Sequence, residues 1–167
     1  MRADYSRRVR RIAFSAVAGA LYVALTAITG ELGFGLVQFR FAEALCLLPF
    51  YAPETIPGLV LGCLLSNILG SPFAVLDVVF GSLATLLAVL SVSRMKIRWL
   101  TPLPVILCNA AIVGGILCHF LKQPYWLCFA SVGLGELTVC VGLGLPMLYA
   151  LPRIGYFRRL FPGRFIV

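Results

Sequence analysis

Long apolar runs, separated by short clusters of basic residues, constrain the folding of this chain more than any other feature. The runs cover residues 12–29, 34–52, 55–70, 73–92, 101–121 and 126–151. A helix that crosses a bilayer needs about 20 apolar residues, within a range of about 17–25. The second and third runs are short and are divided by prolines at 49, 53 and 57. Because proline interrupts helices, we expect two spans with a tight turn here, and six spans in all.

The composition excludes an ordinary water-soluble fold. Of the 167 residues, 61% are hydrophobic and 12% are charged, and the mean hydropathy is +1.01. Soluble domains are roughly 45–50% apolar and about 25% charged, and a chain of this length cannot hide such an excess from water. We therefore predict an all-α integral membrane protein, a bundle of about six transmembrane helices that forms one domain over residues 1–167.

The positions of the basic residues predict the orientation in the membrane. With a cytoplasmic N-terminus and six spans, twelve of the fourteen basic residues face the cytoplasm, and Arg40 and Lys122 lie toward the outside. The positive-inside rule favours this N-in/C-in arrangement, with residues 93–99 in the cytoplasm and Lys122 and Glu31 outside. The first run extends to Ile28, beyond the ~7–15 apolar residues of a signal peptide, so we expect a retained helix. Basic clusters placed between apolar runs also argue against a nucleic-acid partner.

Polar side chains within the apolar runs mark a candidate binding site. In this topology four segments bring polar side chains to the outer half of the membrane, and the inner half is almost wholly apolar. The candidate residues are Gln38, Arg40, Glu43, Asn67, Asp77 and Glu136. Ionisable groups at this depth are costly and by default indicate function. Internal pairing of Arg40 with Glu43 is the structural alternative, but it leaves Asp77 and Glu136 without basic partners. The net acidic set favours a ligand with a cation or several N–H donors.

Two stripes of small residues predict close helix contacts. Gly58, Gly62, Ser66 and Gly70 recur every four residues in the third run, and Ala13, Ala16, Ala20, Ala24 and Ala27 recur at helical spacing in the first. Such stripes let helix backbones approach in lipid. We expect the glycine stripe to pack internally. For the alanine stripe, the pattern alone leaves internal packing and a partner-docking face equally open.

Catalytic and metal-binding motifs are absent from the sequence. The six cysteines lie in apolar runs without a CxxC pair, and His119 has no partner at metal-ligand spacing. We expect these cysteines to pack as small hydrophobic residues. The chain has no GxSxG, HExxH or nucleotide-binding loop. We therefore expect neither an enzyme nor a bound metal or cofactor, and an active transporter of this size would need partner subunits as its motor.

Two polar strings resemble those of a known family. They are VQFRFAEAL at residues 37–45 and LDVVFGSLATLL at residues 76–87. With Gly62 and Asn67 in the third run and Gly135-Glu136 in the sixth, they resemble the QueT family over nearly the whole chain. Members of this family are S-components, the substrate-binding membrane subunits of energy-coupling-factor (ECF) transporters, and are associated with queuosine precursors.

The resemblance implies a function and a set of partners. It implies a multi-pass protein of a prokaryotic plasma membrane that captures a 7-deazaguanine outside and passes it inward. A transmembrane scaffold subunit and two ATPase subunits would assist, so that ATP is used by the partners and no cofactor is bound here. The alanines at 16, 20 and 24 resemble the helix-one motif that docks on the scaffold. We expect Glu43 and Asp77 to contact the ligand, with the other four candidate residues completing the site.

Other functions remain open at this point. The chain could serve as an S-component for another vitamin, of thiamine or riboflavin type. It could also be a structural membrane subunit without a ligand, whose polar residues pair only with one another. A self-sufficient channel is a third alternative, although the apolar inner half offers no continuous polar path.

Overall fold

Helices form most of the chain. The computed structural model describes residues 2–33, 37–71 and 74–161, without the side chains of residues 2–4, 31 and 74, and these ranges contain no β-strand. The helices are α1 (Arg2–Thr29), α2 (Phe41–Phe50), α3 (Ile56–Gly70), α4 (Ala74–Leu76, continued by Asp77–Gly81 and Ser82–Arg94), α5 (Pro102–Leu121), α6 (Tyr125–Val139, continued by Cys140–Gly144 and Leu145–Ala150) and α7 (Gly155–Leu160). The continuations Asp77–Gly81 and Cys140–Gly144 are single π-helical turns.

The all-α membrane fold is confirmed. Within the described ranges, five helices are long and apolar enough to cross a membrane: Tyr5–Thr29, Pro53–Gly70, Asp77–Arg94, Arg98–Leu121 and Tyr125–Arg153. Their bounds lie close to those of five of the predicted runs. Some positions named in the predictions lie outside the described residues: the side chain of Glu31, residue Arg164, and positions 34–36 and 73 of the predicted runs.

The second predicted run differs most from expectation. Instead of a long α-helix, α2 is a 3₁₀-helix of ten residues, nine of them buried, and residues 38–40 before it are not helical. A 3₁₀-helix rises about 2 Å per residue, so α2 covers roughly 20 Å, and extended residues add about 3.3 Å each. Helices α1, α4 and α6 pack around α2. Because of this large rise per residue, the segment crosses much of the bundle with few residues. Such irregular backbone is tolerated at membrane depth when protein surrounds it.

Helices α1 and α3 approach closely through glycines. A Cβ on Gly58 would collide with the backbone oxygen of Ser15, and a Cβ on Gly62 would lie 2.6 Å from the backbone oxygen of Gly19. The backbone N–H of Gly58 also donates to Ser15 Oγ at 3.1 Å. The internal packing predicted for the glycine stripe is confirmed at these two positions.

The alanine stripe lies outside the tight contact of α1 with α3. Ala16, Ala20 and Ala24 are exposed, whereas Ala18 and Tyr22 are buried. Internal packing, one of the two interpretations left open by the sequence, therefore does not apply to these three alanines. Their use as a docking face for a partner remains a prediction.

Three basic segments lie at one end of the bundle. The Arg11 Nε donates to the backbone oxygen of Leu160 in α7 at 3.2 Å. The Arg98 guanidinium lies 5.6 Å from the ring of Tyr51, and that ring lies 6.4 Å from Phe157 of α7. We call this the basic end, and its exposed or half-buried basic residues are Arg7, Arg8, Arg10, Arg11, Arg94, Lys96, Arg98, Arg153, Arg158 and Arg159. The structure groups these clusters as the predicted orientation requires; the assignment of this end to the cytoplasm remains a prediction.

Candidate functional site

All six candidate residues are buried. Their exposed fractions are 1% for Gln38, 4% for Arg40, 0% for Glu43, 1% for Asn67, 1% for Asp77 and 2% for Glu136. Polar and charged groups removed from water are costly unless they are hydrogen-bonded or paired. The contacts of each side chain therefore decide what the cluster can do.

Glu43 lies at the centre of the cluster, in the first turn of α2. Its Oε1 accepts a hydrogen bond from the Tyr22 hydroxyl of α1 at 2.5 Å. The same oxygen lies 3.9 Å from Arg40 Nη1. The predicted neighbourhood of Arg40 and Glu43 is thus present, and Arg40 interacts electrostatically with Asp77 as well. One arginine faces several carboxylates, so the cluster keeps an acidic balance.

Glu136 comes from α6, where Gly135 permits a close backbone approach. A Cβ on Gly135 would collide with the backbone oxygen of Gln38, so the non-helical segment before α2 lies directly on α6. Asn109 of α5 donates to Glu136 Oε1 at 3.3 Å, and Cys140 Sγ lies 3.8 Å from Oε2. The same Cys140 Sγ lies 3.9 Å from the backbone oxygen of Glu43. Glu136 and Glu43 are therefore parts of one cluster.

Asn67 and Asp77 meet at the junction of α3 and α4. Asn67 Nδ2 donates to the backbone oxygen of Asp77 at 2.9 Å, and the hydroxyl of Ser71 donates to Asp77 Oδ2 at 2.6 Å. Asp77 begins the π-helical turn of α4, and such turns are frequent at functional sites. A Cβ on Gly81 would lie 3.0 Å from Asn67 Nδ2, so this glycine leaves room for the amide.

On the candidate residues other than Arg40, four buried polar atoms lack a hydrogen-bond partner among the described residues. They are Gln38 Nε2, Glu43 Oε2, Asn67 Oδ1 and Asp77 Oδ1. Leaving such a group unsatisfied costs about 1–3 kcal/mol, and native proteins contain few of them. Three of the four atoms are acceptors and one is a donor. Their concentration on the candidate residues favours a binding site over a cluster that serves only to hold helices together.

Sequence reasoning missed three hydrogen-bond partners of the candidate residues, Tyr22, Ser71 and Asn109. Tyr22 and Asn109 had a signal in the sequence. Tyr22 belongs to a polar or small stripe at helical spacing in α1, formed by Ser15, Gly19, Tyr22, Thr26 and Thr29, in which every side chain that is not glycine is buried. Asn109 is an amide in the middle of the apolar helix α5, where such a group indicates a partner or a function.

Comparison with known proteins identifies the family of the chain. The family model described as "QueT transporter" matches residues 12–153, which include all six candidate residues. The chain belongs to the QueT transporter family. It is accordingly a multi-pass membrane protein of a transport family, as the polar strings at residues 37–45 and 76–87 predict.

One relative is similar to about half of this chain. The "Queuosine precursor transporter QueT" of Lactococcus lactis subsp. cremoris (strain MG1363) is 38% identical over 87 residues, which are 48% of this chain and 50% of the relative. The match thus spans about half the length of that relative. No solved structure matches the chain.

Proposed function

We propose that the chain is the substrate-capturing subunit of an energy-coupling-factor transporter and binds a queuosine precursor of 7-deazaguanine type from outside the cell. The observation that carries the proposal is the set of four unpartnered buried atoms on Gln38, Glu43, Asn67 and Asp77. Membership of the QueT transporter family and the printed name of the Lactococcus relative support the substrate class.

The hydrogen-bonding capacity of the cluster complements a guanine-like ring. Such a ring presents ring N–H and amino donors together with one carbonyl acceptor. Two carboxylate oxygens, from Glu43 and Asp77, and the amide oxygen of Asn67 can accept from the donors, and Gln38 Nε2 can donate to the carbonyl. Glu136 adds a further carboxylate for an ammonium, if the precursor carries an aminomethyl group, through a strong charge-assisted bond.

Because the cluster is buried, ligand binding requires a movement of the surrounding helices. Each of the six side chains is at most 4% exposed, so a ligand reaches them only when the surrounding elements separate. The chain offers no nucleotide-binding motif. We therefore assign ATP hydrolysis to two partner ATPases, and docking on a transmembrane scaffold to the exposed face with Ala16, Ala20 and Ala24.

A thermal-shift panel on the purified protein tests the substrate class. The panel contains 7-deazaguanines with and without an aminomethyl group, guanine, thiamine and riboflavin. A ligand present at a hundredfold excess over its dissociation constant stabilises the protein by about 2.7 kcal/mol. We expect a 7-deazaguanine to raise the melting temperature and thiamine and riboflavin to leave it unchanged.

The other outcomes separate the alternatives. A shift with thiamine or riboflavin alone would make the chain an S-component for another vitamin. A panel without any shift would favour a structural membrane subunit, in which the polar residues only pair internally. Either result contradicts the proposal.

A further inference from the structure

A groove between α1 and α3 lies at the basic end, away from the polar cluster. It has a volume of about 520 Å³ and is lined by Arg8, Arg11, Ile12, Ser15, Ala16, Glu54, Pro57, Gly58 and Leu61. Pockets that hold drug-sized ligands measure roughly 300–1,000 Å³. Ser15 and Gly58, whose backbones approach closely, are both part of its lining.

The two ends of the groove differ in chemistry. Arg8 and Arg11 line one end, and Ile12, Ala16 and Leu61 line the part that continues along the membrane-spanning helices. Arg8 and Ala16 are eight residues apart in α1, or about 12 Å at 1.5 Å per residue. A molecule lying in the groove therefore meets guanidinium groups at one end and hydrocarbon along the rest.

The charge around the groove is strongly positive. Glu54 is its one acidic lining residue, and Arg11 Nη1 pairs with Glu54 Oε1 at 2.8 Å. Around this pair the exposed arginines of α1 and α7 are Arg7, Arg8, Arg10, Arg158 and Arg159. Among the side chains that the structure describes around the groove, guanidinium groups outnumber carboxylates, so these surroundings favour an anion even with the Arg11–Glu54 pair intact.

We propose that this groove binds one anionic phospholipid, with the phosphate at Arg8 and an acyl chain along Ile12, Ala16 and Leu61. Guanidinium groups match phosphate geometry, and basic pockets between membrane helices bind anionic headgroups. The lipid covers the apolar part of the groove that α1 and α3 leave open. The site is separate from the polar cluster, and its existence does not depend on which substrate the cluster binds. Ala16 also belongs to the proposed docking face, so the lipid is proposed for the isolated subunit.

Native mass spectrometry tests the proposal on the full chain. The protein is purified in detergent with equal amounts of phosphatidylglycerol and phosphatidylcholine that carry the same acyl chains. We expect one bound phosphatidylglycerol to be retained in preference to phosphatidylcholine. Arg8→Gln should lower this retention about fivefold, since a basic residue near anionic lipid contributes about 1 kcal/mol.

Two further variants locate the site. Ala16→Phe fills the apolar part of the groove and should also lower retention of phosphatidylglycerol; Ala16 is exposed, so the fold should persist. Arg94→Gln is the matched control, because Arg94 is exposed at the same end of the bundle and does not line the groove. We expect Arg94→Gln to retain phosphatidylglycerol as the unchanged chain does.

Several results would overturn the proposal. Equal retention of both lipids would mean that the groove has no headgroup preference. Equal losses in Arg8→Gln and Arg94→Gln would indicate a general surface charge effect, and unchanged retention in Ala16→Phe would place the lipid elsewhere. If the lipid-free protein forms a dimer and Ala16→Phe dissociates it, a second copy of the chain covers the groove.

Discussion

At the scale of single residues, three candidate side chains share one arrangement: the protein holds one polar atom and leaves the other unpartnered. Glu43 Oε1 accepts from Tyr22 and Asp77 Oδ2 accepts from Ser71, whereas Glu43 Oε2 and Asp77 Oδ1 have no partner among the described residues. Asn67 donates through Nδ2 and keeps Oδ1 unpartnered. Orientation by one atom positions the other for a ligand before binding, which lowers the cost of ordering the site.

Gly135 provides a test of this positioning. A Cβ at residue 135 would collide with the backbone oxygen of Gln38, whereas a Cβ at Gly133, two residues earlier in α6, would meet Ala110 Cβ at an ordinary 3.7 Å. Gly135→Ala should therefore displace the segment before α2 and weaken binding of a 7-deazaguanine at least tenfold. Titration calorimetry on both variants checks this, with Gly133→Ala expected to bind normally. Equal affinities would show that the segment adapts and that its position does not control the site.

Residue types at membrane depth were predictable from sequence, but their pairing was not. The six candidate side chains stood out because polar groups are rare in apolar runs. Ser71, which follows the end of α3, did not stand out. Tyr22 belongs to a recognisable stripe, but a tyrosine in a membrane helix has many possible neighbours. Only the folded chain shows that Tyr22 of α1 reaches Glu43 of α2.

At the scale of helices, α1 has two faces with different neighbours. Gly19 and Tyr22 face α3 and α2, and the alanines at 16, 20 and 24 are exposed. A small-residue face allows another helix to approach closely in lipid. Because Tyr22 lies on the same helix as the exposed alanines, α1 connects the candidate site with the proposed docking face.

Ala20→Leu tests the docking face. The substitution places a bulky side chain on an exposed surface, so it should leave ligand binding to the isolated subunit intact and reduce assembly with the scaffold. Ala130→Leu in α6, also at an exposed alanine, is the matched control and should assemble normally. Co-purification of the subunits and a titration with a 7-deazaguanine measure the two effects. Loss of binding with normal assembly would contradict the proposed docking role.

The length of the apolar runs identified the long helices, because a helix that crosses a bilayer needs about 20 apolar residues. It could not predict the form of α2. Nine of its ten residues are buried, so protein surrounds nearly the whole segment and its apolar pattern has no period that separates a 3₁₀-helix from a full transmembrane α-helix. Pro49 and Pro53 indicated an interruption, but not the 3₁₀ geometry of residues 41–50.

At the scale of the whole molecule, the chain is polarised between its two ends. The basic end gathers exposed residues of α1, α7 and the loop between α4 and α5. Lys122 terminates α5 after a helix of 20 residues that begins at Pro102 near that loop, and it therefore lies toward the other end. The positive-inside rule predicts that the basic end faces the cytoplasm.

Cysteine labelling from outside intact cells tests this orientation. Lys122→Cys should react with a membrane-impermeant reagent, and Lys96→Cys should not, because the two lysines lie at opposite ends of the bundle. The unchanged chain is the control for its six native cysteines, of which Cys46, Cys63, Cys128 and Cys140 are buried. Labelling at position 96 but not at 122 would invert the topology and place the ligand's entry on the cytoplasmic side.

A titration of purified variants with a 7-deazaguanine tests the central claim most directly. Glu43→Gln and Asp77→Asn keep the side-chain shape and replace an anionic acceptor by a neutral amide. Losing a hydrogen bond to a charged group costs about 1.5–3 kcal/mol, so each variant should bind roughly ten- to a hundredfold more weakly. Glu54→Gln, the same change at the groove on the basic end, should bind as the unchanged protein does. Unchanged affinity in both Glu43→Gln and Asp77→Asn would contradict the account and place the ligand outside this cluster.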